Sequence, residues 1–198
     1  MLLVRHGLRG ALAATLALSA TSIASAGEAR LAVGVTPFEA GSHWIEYGPE
    51  NLGFDESHAA FGLVGRGVYA FRYFAVGLAV DGVQWIGTQG TARELRAGLD
   101  LAGQIPVDDQ NDVGIGLRLG PTWGSYSSGT FDSSPSGLWL GTYVDYRWWA
   151  RPTIALFTEL EAHASILGSD YKGHGDVFSA AIGFHVGVAF APTRTSGS

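Results

Sequence analysis

Large apolar side chains recur at every second residue along most of this chain. The last stretch, Val177 to Phe190, shows it best: Phe178, Ile182, Phe184, Val186, Val188 and Phe190 alternate with Ser179, Ala181, Gly183, His185, Gly187 and Ala189. Successive side chains of a strand point to opposite faces, so this is a ribbon apolar on one side and thin on the other. Phe178 and Phe190 stand roughly 40 Å apart along an extended chain at about 3.3 Å per residue. Tilted by about 40°, such a strand spans roughly 30 Å, close to the apolar band of an outer-membrane barrel.

Seven further stretches carry the same period of two. The first runs from about Glu28 to Thr36, followed by a polar connection expected over Pro37 to Ser57. The others are His58 to about Ala70, Tyr73 to Trp85, Thr91 to Gln104, Asp112 to Gly124, Ser136 to Trp148 and Thr153 to Ser165. The alternation slips near Gly82, which predicts a bulge there. A Ser/Gly/Asp loop is expected at Ser125 to Pro135. Long connections (37–57, 86–90, 125–135, 167–175) alternate with short ones (71–72, 106–111, 149–152), the asymmetry expected of short periplasmic turns and longer outer loops. The expectation is an all-β chain: an eight-stranded antiparallel up-and-down transmembrane β-barrel.

Alternation alone does not separate a membrane barrel from a soluble one, which hides its apolar face inside. The second face does. It is mostly Gly and Ala rather than long polar side chains, and small residues suit the narrow bore that eight strands leave. Tyr73, Phe74, Trp148 and Phe190 fall near the short turns, and Trp85, Trp123 and Phe178 near the long loops, as two interface belts would require. Phe71 and Trp149 join the first group and Trp139 the second.

Residues 1–26 change the picture next. Arg5, His6 and Arg9, an apolar run from Ala11 to Ala20 and Ala24-Ser25-Ala26 form an export signal with its cleavage site. The organisation expected is a signal peptide over 1–26, a barrel over 27–190 and a short polar tail over 191–198. Of the 12 basic residues, two lie in the signal, leaving 10 against 18 acids. That negative balance argues against nucleic acid as a partner. With no cysteine there is neither a disulfide framework nor a thiolate nucleophile or metal ligand. No cofactor and no metal site are expected.

The inward face collects Arg30, Arg66, Arg96, Arg118 and Arg147 with Asp81, Glu94, Asp100, Asp145, Glu159, Glu161 and His163. Ions confined in a narrow interior persist when paired, which predicts a salt-bridged plug; an ion or solute path would need the network to open. His163, Ser165 and Glu161 lie on one face of the seventh strand as a candidate hydrolytic group. Asp170, His174 and Asp176 in the last loop offer a cation-binding composition that is ordinarily just solvated. Gly114-x-Gly116-x-x-x-Gly120 misses the dinucleotide fingerprint and starts no helix.

Together the signal, paired strands, aromatic belts and charged Gly-rich interior resemble the small outer-membrane barrels of the OmpA/OmpX type, over about residues 28–190. The resemblance implies a porin-like, non-enzymatic cell-envelope protein of a Gram-negative bacterium, presenting outer loops from a closed scaffold. It also implies contact with outer-membrane lipid and lipopolysaccharide, a monomer, and recognition of the last strand, ending at Phe190, by the barrel-assembly machinery. The tail Ala191 to Ser198 departs from a chain that ends in Phe. Separately, His163-x-Ser165 is similar to the motif of the outer-membrane lipid A deacylases. Ile166 stands where that family has Asn, and the strand phase turns the pair inward.

Overall fold

The computed structural model describes residues 27–47, 50–54, 59–86, 91–128, 131–168 and 177–192. The expected signal peptide, Asp170, His174, Asp176 and the tail beyond Pro192 lie outside them. Every regular element among the described residues is a strand: β1 (Glu28–Tyr47), β2 (Glu50–Phe54), β3 (Ala59–Ala70), β4 (Phe74–Ile86), β5 (Thr91–Pro106), β6 (Asn111–Ser128), β7 (Phe131–Ser133), β8 (Ser136–Arg151), β9 (Ile154–Gly168) and β10 (Val177–Phe190). Each pairs antiparallel with its neighbour, and β10 returns to β1, from Leu31 opposite Phe190 to Ile45 opposite Val177. The closure leaves no open edge in the wall. β2 and β7 continue the strands that become β3 and β8, so the wall is eight strands, as the period predicts.

Two expected loops are strands instead. β1 runs through Pro37 to Tyr47 and pairs with β2, within the polar connection expected over Pro37 to Ser57. β6 likewise continues to Ser128 and meets β7 inside the expected Ser125 to Pro135 loop. These stretches mix apolar residues with Ser, Gly, Pro and acids without a sustained period of two, and antiparallel pairing needs backbone hydrogen bonds rather than a continuous apolar face. The bulge is also elsewhere. β4 keeps an unbroken register through Gly82, opposite Leu63 on one side and Leu95 on the other. The register shifts instead at Thr36–Phe38, against both β10 and β3. Pro37 has no N–H to give the ladder, and a bulge is where a strand tolerates that. Thr36 keeps the inward phase of Arg30, Ala32 and Gly34, and the extra residue turns Glu39 inward as well, three positions on.

Outward positions carry the aliphatic band: Leu63, Leu78, Leu99, Leu117, Leu140, Leu160 and Ile182 are all exposed. Two apolar clusters lie toward opposite ends of the interior. Near the longer connections lie Val83, Trp85, Tyr126, Leu167 and Val177; near the short turns lie Val64, Trp149, Phe157 and Ala189.

Candidate functional site

Alongside these clusters the interior is ionic. Among the described residues five guanidiniums (Arg30, Arg66, Arg96, Arg118, Arg147) share the bore with nine carboxylates (Glu28, Glu39, Asp81, Glu94, Asp100, Asp112, Asp145, Glu159, Glu161). The strands place them by phase: an inward position on one strand faces inward positions of the others across a bore only two side chains wide.

Three layers can be distinguished. Nearest the longer connections, Arg96 is fully enclosed. Its Nη2 donates to Glu39 Oε1 at 2.8 Å and its Nε to Glu94 Oε2 at 3.2 Å, with Asp81 at 3.1 Å from Nη1. Tyr126 Oη donates to Glu94 Oε1 at 2.7 Å and ties this layer to the apolar cluster near the longer connections. At mid-height Arg118 donates to Glu159 through Nη1 at 2.7 Å and Nη2 at 2.8 Å, and to Glu161 through Nη1. Arg66 Nη1 donates to Asp145 at 2.9 Å and Glu159 at 3.1 Å, its Nε lies 2.6 Å from Asp100, and its Nη2 meets Tyr143. The Tyr143 ring lies between Arg66 and Arg118, whose guanidinium carbons stand 4.6 and 4.1 Å from its centroid. Near the short turns, Arg30 lies 2.5 Å from Glu28 and bonds Gln104 at 3.1 Å, while Trp149 Nε1 donates to Asp112 at 2.7 Å. Arg147 pairs with Asp145. Buried charges of this density are tolerated only when paired.

The glycines of β6 make room for this packing. Tyr143 lies directly over Gly116, and Asp145 over Gly114, so close that a Cβ at either site would collide with them. The Gly-x-Gly pattern, uninformative as a nucleotide motif, is the floor on which the network rests.

Of the twelve charged or His residues singled out for the bore, Arg66, Asp81, Glu94, Arg96, Asp100, Arg118, Asp145, Arg147, Glu159, Glu161 and His163 are buried, and Arg30 is partly buried. Sequence reading misses Glu39, Asp112 and the Thr36–His185 pair, in which Thr36 Oγ1 and His185 Nδ1 are 2.8 Å apart, while the phase of β5 and β8 already turns Gln104 and Tyr143 inward. Glu39 is hidden by the bulge, whereas Thr36 keeps the inward phase of Arg30, Ala32 and Gly34. The phase of β10 already places His185 inside.

Among the aromatics, Tyr73, Phe74, Trp123, Trp148, Phe178 and Phe190 are exposed on the outer wall. Trp85 is a correction: it is 1 % exposed and packs in the cluster near the longer connections. With no bulge at Gly82, the inward series Ala79, Asp81, Val83, Trp85 runs on unbroken, and large rings cap a bore that small residues line below. Trp139 and Trp149 are interior for the same reason.

His163 and Ser165 are both interior. His163 Nδ1 lies 3.1 Å from Arg96 Nη1 and its Nε2 3.3 Å from Glu39, while Ser165 Oγ, wholly buried, has no hydrogen-bond partner. The pair is brought near in the fold but not joined as nucleophile and base.

No protein-family model matches the chain. No curated protein matches it either. Solved structures do. Neisserial surface protein A is similar with a TM-score of 0.53 at 15 % identity, over 84 % of this chain and 97 % of that one. The outer-membrane protein OprG of Pseudomonas aeruginosa follows at 0.48 and 12 % identity, over 84 % and 96 %. The outer-membrane protease OmpT of Escherichia coli scores 0.50 at 7 % identity, over 87 % and 99 %. At these identities the likeness speaks for architecture and leaves activity aside. The chain has the closed, eight-stranded, up-and-down antiparallel fold of the small outer-membrane β-barrels.

Proposed function

We propose that this chain is a non-enzymatic outer-membrane scaffold: a barrel exported by residues 1–26, standing in lipid, with a closed interior and its contacts made by the longer connections. The observation that carries the reading is the inversion of the wall. Its aliphatic side chains face outward in a continuous band while its ions face inward, an arrangement that water would penalise and a bilayer favours. Closure supports the same reading, since every backbone group of a lipid-exposed strand needs a partner within the protein. The ion-paired layers and the two apolar clusters support a sealed bore over a passive channel. Lipid and lipopolysaccharide on the outer wall, assembly-machinery recognition of the strand ending at Phe190, and a monomeric state belong to this proposal.

The test has two arms. Purified protein should run at different positions on a gel when boiled and unboiled, and identical migration with a helical spectrum removes the barrel. In planar bilayers it should give no stable conductance steps; reproducible ion-selective steps that change on Arg118→Ala would establish a channel. For the esterase alternative, lipid A from cells expressing the protein should keep its acyl chains. Loss of one chain, abolished by Ser165→Ala, would replace the scaffold reading with a hydrolase.

A further inference from the structure

We propose that the interior of the barrel holds one divalent first-row transition cation, bound by Glu159 and Glu161 of β9 and His185 of β10, with Glu39 of β1 at its edge. These first three side chains each bring a ligand atom within 4.8 Å of the others, and all are buried. His185 Nε2 lies 3.8 Å from Glu161 Oε2 and 3.9 Å from Glu159 Oε1. Those separations are too long for a hydrogen bond. Around a tetrahedral ion with bonds of about 2.0–2.2 Å neighbouring ligands stand roughly 3.3–3.6 Å apart, so a bound ion would draw these side chains in by a few tenths of an ångström. The ring is already oriented: its Nδ1 is held 2.8 Å from Thr36 Oγ1, which leaves Nε2 to face the carboxylates. A hydrogen bond at the far ring nitrogen is how a ligating imidazole is usually fixed.

Two independent features point to an occupant. Glu39 is fully buried, and its Oε2 has no hydrogen-bond partner although Oε1 is bonded to Arg96. That orphan oxygen borders the space left by Gly183, where a Cβ would stand 3.2 Å from Glu39 Oε2 and 3.3 Å from His185 Nε2. A glycine therefore keeps open a cradle lined by an unpaired carboxylate oxygen and an imidazole nitrogen. The charge balance is the second feature. Among the described residues, nine carboxylates against five guanidiniums leave four in excess along the whole interior, and a divalent ion halves that excess.

Arg118 Nη1 already donates to Glu159 Oε1 and to Glu161 Oε2. Each carboxylate oxygen has a second lone pair, so the cation sits on the side of His185 and the guanidinium on the other. Two carboxylates with one imidazole select a borderline metal such as Zn²⁺ or Co²⁺ over Ca²⁺ or Mg²⁺, which take oxygen ligands.

The full mature chain, folded in detergent with a chelator and then dialysed against Zn²⁺, should retain about one equivalent by elemental analysis. Co²⁺ in its place should give a visible d–d absorption that Zn²⁺ abolishes and Ca²⁺ does not. His185→Gln removes the nitrogen ligand, and Gly183→Ala fills the cradle while leaving every ligand in place. In whichever of the two still shows barrel mobility on an unboiled gel, retained metal should fall at least tenfold. His174→Ala, in the last loop, should retain the full equivalent. Less than a tenth of an equivalent in the parent overturns the proposal. So does full retention in a folded His185→Gln or Gly183→Ala, or loss on His174→Ala, which would move the ion to the loop.

Discussion

Arg118 and Leu117 are adjacent on β6, yet they live by opposite rules. Leu117 points out and is about half exposed, facing Leu101 and Thr142 on the neighbouring strands. Arg118 points in, is 1 % exposed, and holds Glu159, Glu161 and Tyr143. In the proposed membrane setting the outer wall asks only for a class of side chain, because lipid tails make no directional demands. The inner wall asks for particular partners at particular positions, because an ion there has nowhere else to find compensation. A one-residue slip of any strand would exchange the two sets, so the same alternation that builds the barrel also fixes its register.

The largest expected effect breaks the inner set. Arg118→Ala leaves Glu159 and Glu161 facing each other and His185 without their shared guanidinium, and should destabilise the barrel by roughly 3–5 kcal/mol. Urea unfolding in lipid vesicles, followed by gel mobility, measures it. A loss below about 1 kcal/mol would mean that the network is loosely coupled. The outer set is tested one residue away. Leu117→Arg places a charge near the middle of the apolar band and should cost roughly 2–4 kcal/mol in vesicles. In detergent micelles, where the side chain reaches water, the cost should shrink. Equal cost in both media would remove lipid as the cause.

How far the sequence shows this contrast depends on which signal each part leaves. The eight-strand wall is legible because a period of two survives in single residues, down to Ile115, Leu117 and Leu119 alternating with Gly116, Arg118 and Gly120. The bore charges are legible by the same phase. What stays hidden depends on contacts across the barrel. Glu39 is interior only because a bulge at Pro37 shifts its phase, and no local pattern announces the two-for-one pairing that does this. Residue type alone puts Trp85 outside, since Trp is common at membrane interfaces, but its side chain follows the phase of Asp81 and Val83. The arms β2 and β7, five and three residues long, are too short for a period of two to announce them.

The same substitution on the two faces sharpens the comparison at smaller scale. Gly116 faces in, beneath the Tyr143 ring, while Gly65 faces out, where an added Cβ would meet nothing nearer than the Val80 carbonyl oxygen at 3.9 Å. Gly116→Ala forces Tyr143 off Arg118 and should cost roughly 1–3 kcal/mol, the usual range for overpacking. Gly65→Ala meets open space and narrows the unfolded ensemble, so it should be neutral or stabilising by about 0.4–1 kcal/mol. Thermal unfolding of the two variants in one detergent decides it. Similar losses at both sites would show that strand propensity, rather than the facing environment, governs these glycines.

The smallest expected effect lies outside both faces, in the exposed turn between β5 and β6. Asp108 is fully exposed there, and its carboxylate accepts from Asn111 Nδ2 at 2.7 Å and from the Gln110 amide at 2.8 Å. The Asn111 side-chain bond first, and the Gln110 backbone bond second, hold its pKa below the usual aspartate value. Because the folded value is depressed, this stabilisation is fully present above the unfolded pKa of about 3.9 and fades as pH falls through the folded value. At neutral pH the turn is therefore braced, and the loss is confined to acid below about pH 4. Solvent screening keeps the effect slight, as for other exposed charges. Two NMR observations on the detergent-solubilised barrel test it: the Asp108 carboxyl carbon should titrate below the reference midpoint, and protection of the Gln110 amide against exchange should fall over that same acid range. A midpoint at or above the reference, or amide protection unchanged by Asp108→Ala, would show that strand pairing alone holds the turn.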